Sequence, residues 1–415
     1  MFRISQYLRQ IAEAERTGRY PAAAARPAGA LPPGPVVIWN LIRRCNLTCK
    51  HCYALSADHD YAGELSTAEA LAVLADLKAM RVPMAILSGG EPLMRPDLWT
   101  LVDEARALRL PVALSTNGTL IDAETADRIA AAGFGYVGIS LDGLAATHDR
   151  FRRLEGAFER SLAALRLLRA RGVKVGLRYT MTAMNAHDLP ALLDLMRAER
   201  IDKFYFSHLN YAGRGNLHRS ADAQFQATRQ AMERLFERAW QAAVDGLDEE
   251  YVTGNNDADG PFLLQWAAAR WPQWQAPLRA ALEAWGGNAS GVNVANIDNL
   301  GNVHPDTMWW HHTLGNVRER PLSAIWPDTS DALMAGLKQR PRPVGGRCAA
   351  CAHLAICGGN TRVRAQQITG DPWAEDPGCY LDDDEIGVQG GAERVVVTPF
   401  SSRRRFVPVA VDLPT

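Results

Sequence analysis

The sequence lacks the features of a protein that binds nucleic acid or spans a membrane. Its 45 lysines and arginines are balanced by 46 aspartates and glutamates, so the formal net charge is -1. This balance gives no support to binding of nucleic acid or of an acidic surface. No apolar run approaches the roughly 18 residues of a membrane span, and residues 1–20 lack the apolar core of a secretory signal. We therefore expect a cytoplasmic protein without a nucleic-acid or membrane partner.

Cysteine is absent from the whole middle of the chain. The seven cysteines form two groups, with none between Cys52 and Cys348. An odd number in two tight groups is unlike a secreted disulfide framework, and a reducing compartment favours metal binding instead. We therefore interpret both groups as metal-binding. Their members are Cys45, Cys49 and Cys52, and Cys348, Cys351, Cys357 and Cys379.

Short apolar runs alternate with helical patterns from residue 36 onward. The runs predict six β-strands, near residues 36–41, 84–88, 111–116, 136–141, 173–180 and 203–209. Buried strands separated by helices of about 10 to 15 residues indicate βαβ units and a parallel sheet. Six units are two short of a complete (β/α)8 barrel. We expect an α/β fold, a partial (β/α)6 TIM-like barrel with its chemistry at the C-terminal ends of the strands.

Composition divides the chain into four predicted parts. Residues 4–15 predict an amphipathic helix, and the Ala-, Pro- and Gly-rich residues 21–35 predict a linker. Three arginines at 403–405 are interpreted as part of a solvated tail. The predicted parts are an N-terminal arm and linker over 1–35, the barrel over 36–250, a small Cys-rich domain over 251–400 and a tail over 401–415.

The first cysteine group has the spacing C-x3-C-x2-C and follows the first predicted strand directly. Three thiolates on a tight loop can ligate three irons of a cubane and leave the fourth iron open. A structural zinc site needs four ligands, and His51 is the available fourth one. We favour the cluster, because cofactor chemistry needs an open coordination position.

This cysteine loop resembles that of the radical S-adenosylmethionine (SAM) enzymes. The resemblance implies a [4Fe-4S] cluster on Cys45, Cys49 and Cys52, whose open iron is chelated by the amino and carboxylate groups of SAM. In that family one electron from the cluster cleaves SAM to methionine and a 5′-deoxyadenosyl radical. The residue before the third cysteine is usually aromatic and packs near the adenine; here it is His51.

Later strand ends carry further matches in the family's order. SGGEP at 88–92 resembles the GGEP motif, in which glycines let the backbone approach the methionine ammonium and Glu91 accepts its hydrogen bonds. Arg178 is interpreted as a partner of the SAM carboxylate, with a structural ion pair as the alternative. Hydroxyls and amides after strands three and four suit ribose and carboxylate recognition. The implied SAM contacts are His51, Gly89, Gly90, Glu91, Ser115, Asn117, Ser140, Arg178 and Leu209.

The second cysteine group, C-x2-C-x5-C-x21-C, resembles the auxiliary-cluster half of the SPASM domains that follow many radical SAM barrels. The resemblance implies a second, auxiliary [4Fe-4S] cluster on these four residues. Asp306 and Thr361 stand where the SPASM pattern has cysteine. We therefore expect the auxiliary cluster nearer the active site to be absent and the distal one to be kept. A tetrathiolate zinc site is the alternative that the sequence leaves open.

Four segments look like those of radical SAM proteins of heme d1 biosynthesis: MFRISQYLR, the long stretch around the cysteine loop, YAGRGN after strand six, and DPWAEDPGCYLDDDEIG. This resemblance implies removal of propionate side chains from 12,18-didecarboxysiroheme, with an electron donor such as ferredoxin or flavodoxin. The alternatives are a SPASM-type radical SAM peptide maturase and a non-enzymatic iron–sulfur electron carrier. The short N-terminal region disfavours the maturase, and the GGEP-type loop disfavours the carrier.

A tetrapyrrole needs a wide apolar slot with cationic rims. His304, His311 and His312 are interpreted either as ligands of the substrate iron or as ordinary hydrogen-bonded residues. Arg152 and Arg153 are interpreted as propionate partners or as solvated helix residues. Arg178 is a further candidate for pairing with a propionate, and Arg214 follows strand six as a further cation.

Overall fold

The computed structural model describes residues 1–21, 33–223, 225–389 and 394–400. The predicted linker over 21–35 lies mostly outside these ranges. The predicted tail over 401–415, with its arginines, lies wholly outside them. Within them, no helix is long and apolar enough to cross a membrane.

One ten-stranded sheet organises the described chain. In chain order its strands are β1 (Val36–Asn40), β2 (Ala85–Ser88), β3 (Val112–Thr116), β4 (Tyr136–Ser140), β5 (Val175–Met181), β6 (Lys203–His208), β7 (Glu250–Gly254), β8 (Val294–Ile297), β9 (Asn302–His304) and β10 (Gly315–Asn316). Their order in the sheet is β10-β9-β8-β1-β2-β3-β4-β5-β6-β7. The strands from β8 to β7 are all parallel, and β9 and β10 add an antiparallel extension beside β8.

The predicted α/β fold with a parallel sheet is confirmed, and all six predicted strands are present. The sheet continues beyond them, because β7 pairs with β6 and β8 pairs with β1. Neither additional strand shows a long apolar run. In β8 the buried Asn296 interrupts the pattern, and its Nδ2 donates to the Ile38 carbonyl at 2.7 Å and to Asn40 Oδ1 at 2.6 Å.

Helices connect the strands and each buries one face. α2 begins at a capping box in which Ser66 and Glu69 exchange backbone–side-chain hydrogen bonds. The helices are α1 (Ile4–Thr17), α2 (Thr67–Ala79), α3 (Leu98–Ala107), α4 (Ala123–Ala132), α5 (Ala145–Arg152), α6 (Ala157–Ala170), α7 (Leu189–Ala198), α8 (Gly213–Leu217), α9 (Phe225–Val244), α10 (Asp259–Ala268), α11 (Gln275–Trp285), α12 (Leu322–Ile325), α13 (Ala332–Lys338), α14 (Gly346–Ala350), α15 (Leu354–Cys357), α16 (Arg362–Thr369) and α17 (Asp383–Ile386). Short 3-10 turns lie at Pro92–Met94, Ala186–Asp188, Arg219–Ala221 and Pro272–Trp274.

The N-terminal helix α1 covers the open side of the sheet at β7. It packs against α9 and β7, and its apolar face is buried through Ile4, Leu8 and Ile11. Phe2 and Thr253 exchange two backbone hydrogen bonds of 2.8 Å. This segment therefore pairs with an otherwise unpaired edge strand, a common way to protect such an edge.

The part of the chain that follows β9, here called the C-terminal segment, carries the second cysteine group. It is joined to the barrel by buried polar contacts. Arg364 in α16 forms a two-pronged ion pair with Asp376, at 2.7 and 2.8 Å. Its third nitrogen donates to the Leu209 carbonyl, just after β6, at 3.1 Å. The Thr361 hydroxyl donates to the Asn255 carbonyl, just after β7, at 2.9 Å. These contacts place the Cys-rich segment over the ends of β6 and β7.

Candidate active site

A cavity lies at the C-terminal ends of the parallel strands, where the chemistry of such a sheet is expected. Much of its wall is built from residues that end strands or directly follow them. Examples are Ser88 of β2, Ser140 of β4, Leu209 after β6 and Asn255 after β7. The C-terminal segment closes one side through residues 306–308 and Thr361.

The first cysteine group forms part of this wall. Cys45, Cys49 and Cys52 lie on the loop after β1, and all three line the cavity. Cys45 and Cys49 are buried, and burial raises the pKa of both thiols above its ordinary value. Thiols in such surroundings ionise when they bind a metal centre, because metal binding releases their protons.

A buried ion pair supports the cysteine loop from behind. Arg152, at the end of α5, is ion-paired with the fully buried Asp142. Its Nη1 also donates to Cys49 Sγ at 3.5 Å, while Asp142 accepts from the Thr180 backbone N–H at 2.7 Å. Arg152 is therefore neither a solvated helix residue nor free for a propionate, the two roles interpreted from sequence. A buried acid requires such a cation, and Asp142, which follows β4, is the clue that sequence reasoning missed.

His51 presents a neutral ring to the cavity. The ring stacks on Phe151 with centroids 4.7 Å apart, and Nε2 lies 3.9 Å from Asp142 Oδ2. Burial lowers the pKa of His51 to about 4 despite the nearby Asp142 carboxylate. A flat uncharged ring beside the cysteines is compatible with the predicted packing against adenine.

The two glycines of the SGGEP segment bring the loop after β2 against the cysteine loop. The Gly90 N–H donates to the Ile42 carbonyl at 2.6 Å. A Cβ on Gly89 would lie 2.3 Å from the Ile42 oxygen, and one on Gly90 would lie 2.2 Å from the Arg44 oxygen. Both glycines line the cavity. They are therefore required for close packing beneath the cysteines, in addition to the predicted approach of a ligand.

Glu91 is the one predicted SAM contact that does not line the cavity. It is fully buried, and its carboxylate accepts hydrogen bonds from the Thr116 hydroxyl and the Asn117 N–H, both at 2.8 Å. The Leu93 N–H donates to it as well, at 3.2 Å. Burial raises the pKa of Glu91 to about 7. Its observed bonds join the loop after β2 to the end of β3, and its contact with the methionine ammonium stays a prediction.

The other predicted polar contacts do line the cavity. Ser115 and Ser140 make no side-chain hydrogen bond to a described residue, so their hydroxyls are available to a ligand. Asn117 is already engaged: its Nδ2 donates to Asn46 at 2.9 Å, and its Oδ1 accepts from the Thr119 N–H at 2.8 Å. Asn117 thus holds the cysteine loop in place.

Arg178 lines the cavity with its charged side chain. Its guanidinium lies 4.9 Å from the centre of the Tyr205 ring. Among the described residues it has no hydrogen bond and no ion pair. The structural ion pair considered as an alternative is therefore not observed there, and its planar donors can face an anionic group. Leu209 is buried in the same cavity wall and supplies an apolar surface.

Arg214 was predicted to be a cation near the substrate. It instead forms hydrogen bonds to the cysteine loop. Its Nε donates to the Cys49 carbonyl at 2.6 Å and its Nη2 to the Ser56 carbonyl at 2.9 Å. Its backbone N–H donates to the Cys52 carbonyl at 2.9 Å. The preceding Gly213 lies so close that a Cβ would be 2.4 Å from a backbone oxygen of this loop. The YAGRGN segment therefore fixes the loop that carries the thiols.

The second cysteine group surrounds a smaller cavity, which all four of its thiols line. Burial raises the pKa of Cys379 to about 12. In the described part of the chain, no three His, Cys, Asp or Glu side chains form a group that could hold a single metal ion. A multi-iron cluster gives each thiolate its own iron, so its ligands stand farther apart than those of one ion. Four thiols around one small cavity can ligate such a cluster, and four thiolates are also the donor set of a structural zinc site.

Asp306 and Thr361, the positions expected to have lost a cysteine, both line the main cavity. Ser290 donates its hydroxyl to the Asp306 carboxylate. Thr361 is bonded through its hydroxyl to the Asn255 carbonyl and through its N–H to Asp376 at 3.0 Å. This end of the cavity is therefore lined by hydroxyl and carboxylate groups.

The three histidines considered as iron ligands do not line the main cavity. Each one is hydrogen-bonded elsewhere, which is the ordinary role left open from sequence. The pairs are His304 with the His312 carbonyl at 2.8 Å, His311 with Gln366 at 2.7 Å, and His312 with Asp331 at 3.0 Å.

Comparison with known proteins agrees with this site. The model of the Radical SAM superfamily matches residues 39–196. A pre-heme d1 synthase of Dinoroseobacter shibae is 54% identical over 406 residues, which are 97% of this chain and 98% of the relative. The chain belongs to the radical SAM superfamily. The Fe-coproporphyrin III synthase of Methanosarcina barkeri, a further relative, is 44% identical over 356 residues, covering 85% of this chain and 89% of the relative.

The radical SAM fold is also seen in solved structures. SuiB of Streptococcus suis bound to S-adenosylmethionine superposes with a TM-score of 0.66 and covers 90% of this chain and 80% of its own. Its sequence identity is 17%, so this likeness shows the fold alone. The predicted membership of the radical SAM enzymes, and with it the use of a [4Fe-4S] cluster and SAM, is confirmed by these comparisons.

The main cavity fits the two groups that a radical SAM enzyme holds. Three thiols on one loop are a donor set that leaves one iron of a cubane open. Nearby, Arg178 has no charged partner among the described residues, and the hydroxyls of Ser115 and Ser140 are unused. A cation and two hydroxyls suit the carboxylate and ribose of SAM.

Proposed function

We propose that this radical SAM enzyme acts in heme d1 biosynthesis and removes propionate side chains from 12,18-didecarboxysiroheme. The observation that carries the proposal is the similarity over nearly the whole chain to a pre-heme d1 synthase, at 54% identity. A second relative, at 44% identity, is named for another iron tetrapyrrole. The substrate itself is the one implied by the resemblance to heme d1 biosynthesis proteins.

The first cysteine group and its neighbours bind the cofactors in this proposal. Cys45, Cys49 and Cys52 would hold a [4Fe-4S] cluster that binds SAM. Loaded and reduced, this pair supplies a 5′-deoxyadenosyl radical, which can break an unactivated C–H bond as no side-chain acid or base can. Arg178 pairs with the SAM carboxylate, and His51 and Leu209 enclose the adenine. The remaining contacts are with Gly89, Gly90, Glu91, Ser115, Asn117 and Ser140.

The substrate occupies the part of the cavity between the strand ends and the C-terminal segment. Residues 306–308 and Thr361 line that part, and neither Asp306 nor Thr361 can ligate a cluster as cysteine would. The space of a proximal auxiliary cluster is therefore free for a flat macrocycle. Removal of one hydrogen atom from a propionate would let the chain leave as a small unsaturated acid. The unpaired electron would stay on the macrocycle, and an oxidised auxiliary cluster would be its acceptor.

The second cysteine group holds an auxiliary [4Fe-4S] cluster in this proposal. Cys348, Cys351, Cys357 and Cys379 are its ligands, and the chemistry that it supplies is one-electron transfer. A ferredoxin or flavodoxin is the external electron donor, and the enzyme works in the cytoplasm. A peptide maturase is not favoured by any contact of the cavity.

An anaerobic assay tests the proposal. The protein is reconstituted with iron and sulfide and mixed with SAM, dithionite and didecarboxysiroheme. 5′-Deoxyadenosine and tetrapyrrole masses are followed together. We expect deoxyadenosine to form with loss of propionate mass, and the Cys49→Ala protein to form neither product. Deoxyadenosine without any change in the macrocycle would contradict the proposed substrate.

A further inference from the structure

Two described histidines line the main cavity, His51 and His208. His51 lies on the cysteine loop, whereas His208 ends β6 and is followed by Leu209. On the neighbouring strand β7, Gly254 pairs with the residue before His208. His208 therefore lies in the wall formed by β6 and β7, next to the loop on which the C-terminal segment rests.

A buried carboxylate holds His208 from behind. His208 Nε2 lies 3.1 Å from Asp259 Oδ2, and Asp259 is completely buried. The Tyr380 hydroxyl donates to Asp259 Oδ1 at 2.7 Å, and the Thr253 hydroxyl donates to Oδ2. A carboxylate that already accepts two hydroxyl donors takes the third bond from the imidazole. His208 therefore carries its hydrogen on Nε2, and Nδ1 keeps its lone pair.

The second ring nitrogen of His208 has no hydrogen-bond partner among the described residues. Nδ1 makes no hydrogen bond to any described residue, and it is not one of the enclosed polar atoms without a partner. Because His208 lines the cavity and its Nε2 is bound to Asp259, Nδ1 is the ring nitrogen left for a group in the cavity. The ring plane is held by Phe206, edge-on with centroids 4.9 Å apart, and by Tyr380, stacked at 6.2 Å.

A histidine that ligates a metal nearly always donates its second ring N–H to a carboxylate or carbonyl, and imidazole is a common axial ligand of haem iron. We infer that His208 Nδ1 ligates the iron of the tetrapyrrole substrate, with Asp259 and Tyr380 as its positioning residues. This inference rests on the proposed function. Ligation of the iron by His208 would fix the position of the macrocycle in the cavity.

His208 differs in position from His304 and His312. His304 and His312 also lie beside a carboxylate, Asp298 at 3.3 Å and Asp331 at 3.0 Å. Neither of them lines the main cavity. His312 is therefore a matched control, a histidine with a carboxylate partner that cannot reach the same space.

The test uses the full chain with both clusters loaded and oxidised, and ferric didecarboxysiroheme as the probe. Oxidised [4Fe-4S] clusters are diamagnetic, so low-temperature EPR reports the tetrapyrrole iron alone. We expect the wild type and His312→Ala to shift the signal of the free tetrapyrrole in the same way. His208→Gly should lose this shift and regain it with added imidazole. Asp259→Asn should weaken binding of the probe on the order of tenfold.

A second measurement needs no variant. In wild-type protein labelled with 15N-histidine, pulsed EPR should show a 15N coupling on the ferric iron that the unlabelled protein lacks. Bound tetrapyrrole without such a coupling, or with an EPR signal that His208→Gly leaves unchanged, would overturn the inference and leave the proposed function standing. Failure of the wild type to bind the tetrapyrrole at all would overturn both.

Discussion

Replacing Arg364 by methionine tests how the Cys-rich segment is held on the barrel. The side chains of Arg364 and Asp376 are almost completely buried, at 1% and 0% exposure. In the Arg364→Met protein the Asp376 carboxylate keeps only backbone donors, the N–H groups of Thr361 at 3.0 Å and Gly378 at 2.9 Å. The guanidinium donor to the Leu209 carbonyl is lost at the same time.

The expected loss of unfolding free energy follows from the burial of the Arg364–Asp376 ion pair. Removing one partner of a buried ion pair strands the other charge, which costs about 3 to 5 kcal/mol. Arg364→Met and Asp376→Asn should each lower the free energy of unfolding by about this much. The double variant Arg364→Met/Asp376→Asn should cost less than the sum of the two by about 2 kcal/mol, because no charge is left unpaired. Arg364→Met should also weaken SAM binding, since Leu209 belongs to the proposed adenine contact.

The assay is anaerobic urea unfolding of cluster-loaded protein, followed by tryptophan fluorescence. The matched control is Arg166→Met, which breaks the exposed pair with Glu199, where the arginine is 56% exposed. That change should cost less than about 1 kcal/mol. A cost of Arg364→Met no greater than that of Arg166→Met, or additive single effects in the double variant, would refute the reasoning.

Three further predictions concern single residues of the two sites. Arg178→Met should weaken SAM binding in calorimetry by about 1.5 to 3 kcal/mol, the worth of a charged hydrogen bond, with Arg178→Lys in between; equal affinity of all three proteins would refute the assignment. The pKa of Glu91 is about 7 in the folded protein against 4.5 in the unfolded chain. Its contribution to stability is therefore lost as the pH rises between these values. The difference in unfolding free energy between wild type and Glu91→Gln should change across this pH range and be flat above it. Cys357→Ala should reduce the iron content from about eight to about four per chain, measured chemically, and an unchanged content would contradict the second cluster.

The sequence was sufficient where the evidence was local. The six predicted strands were found because each is a short segment dominated by apolar residues, and the first cysteine loop because its three residues lie within eight positions of sequence. β8 was missed because its buried Asn296 looks unfavourable in a strand until its partners on β1 are known. A buried polar residue can be judged only together with the groups that satisfy it.

The supporting residues of the site could not be predicted, because their partners are distant in sequence. Arg152 reaches Cys49 across 103 residues, Arg214 reaches the same loop across 165, and Arg364 reaches Leu209 across 155. His208 belongs to no motif, and its carboxylate partner lies 51 residues away. A motif also identifies residues without showing what each of them does. Glu91 belongs to the SGGEP segment, but its observed bonds are to the protein itself.

The central claim is that the radical generated in this cavity takes hydrogen from a propionate of a didecarboxysiroheme. The most direct measurement is a single turnover with a substrate deuterated in its propionate chains, followed by mass spectrometry of the 5′-deoxyadenosine. The account predicts deoxyadenosine that carries deuterium, together with a macrocycle that has lost propionate mass. Unlabelled deoxyadenosine beside an intact macrocycle would contradict it.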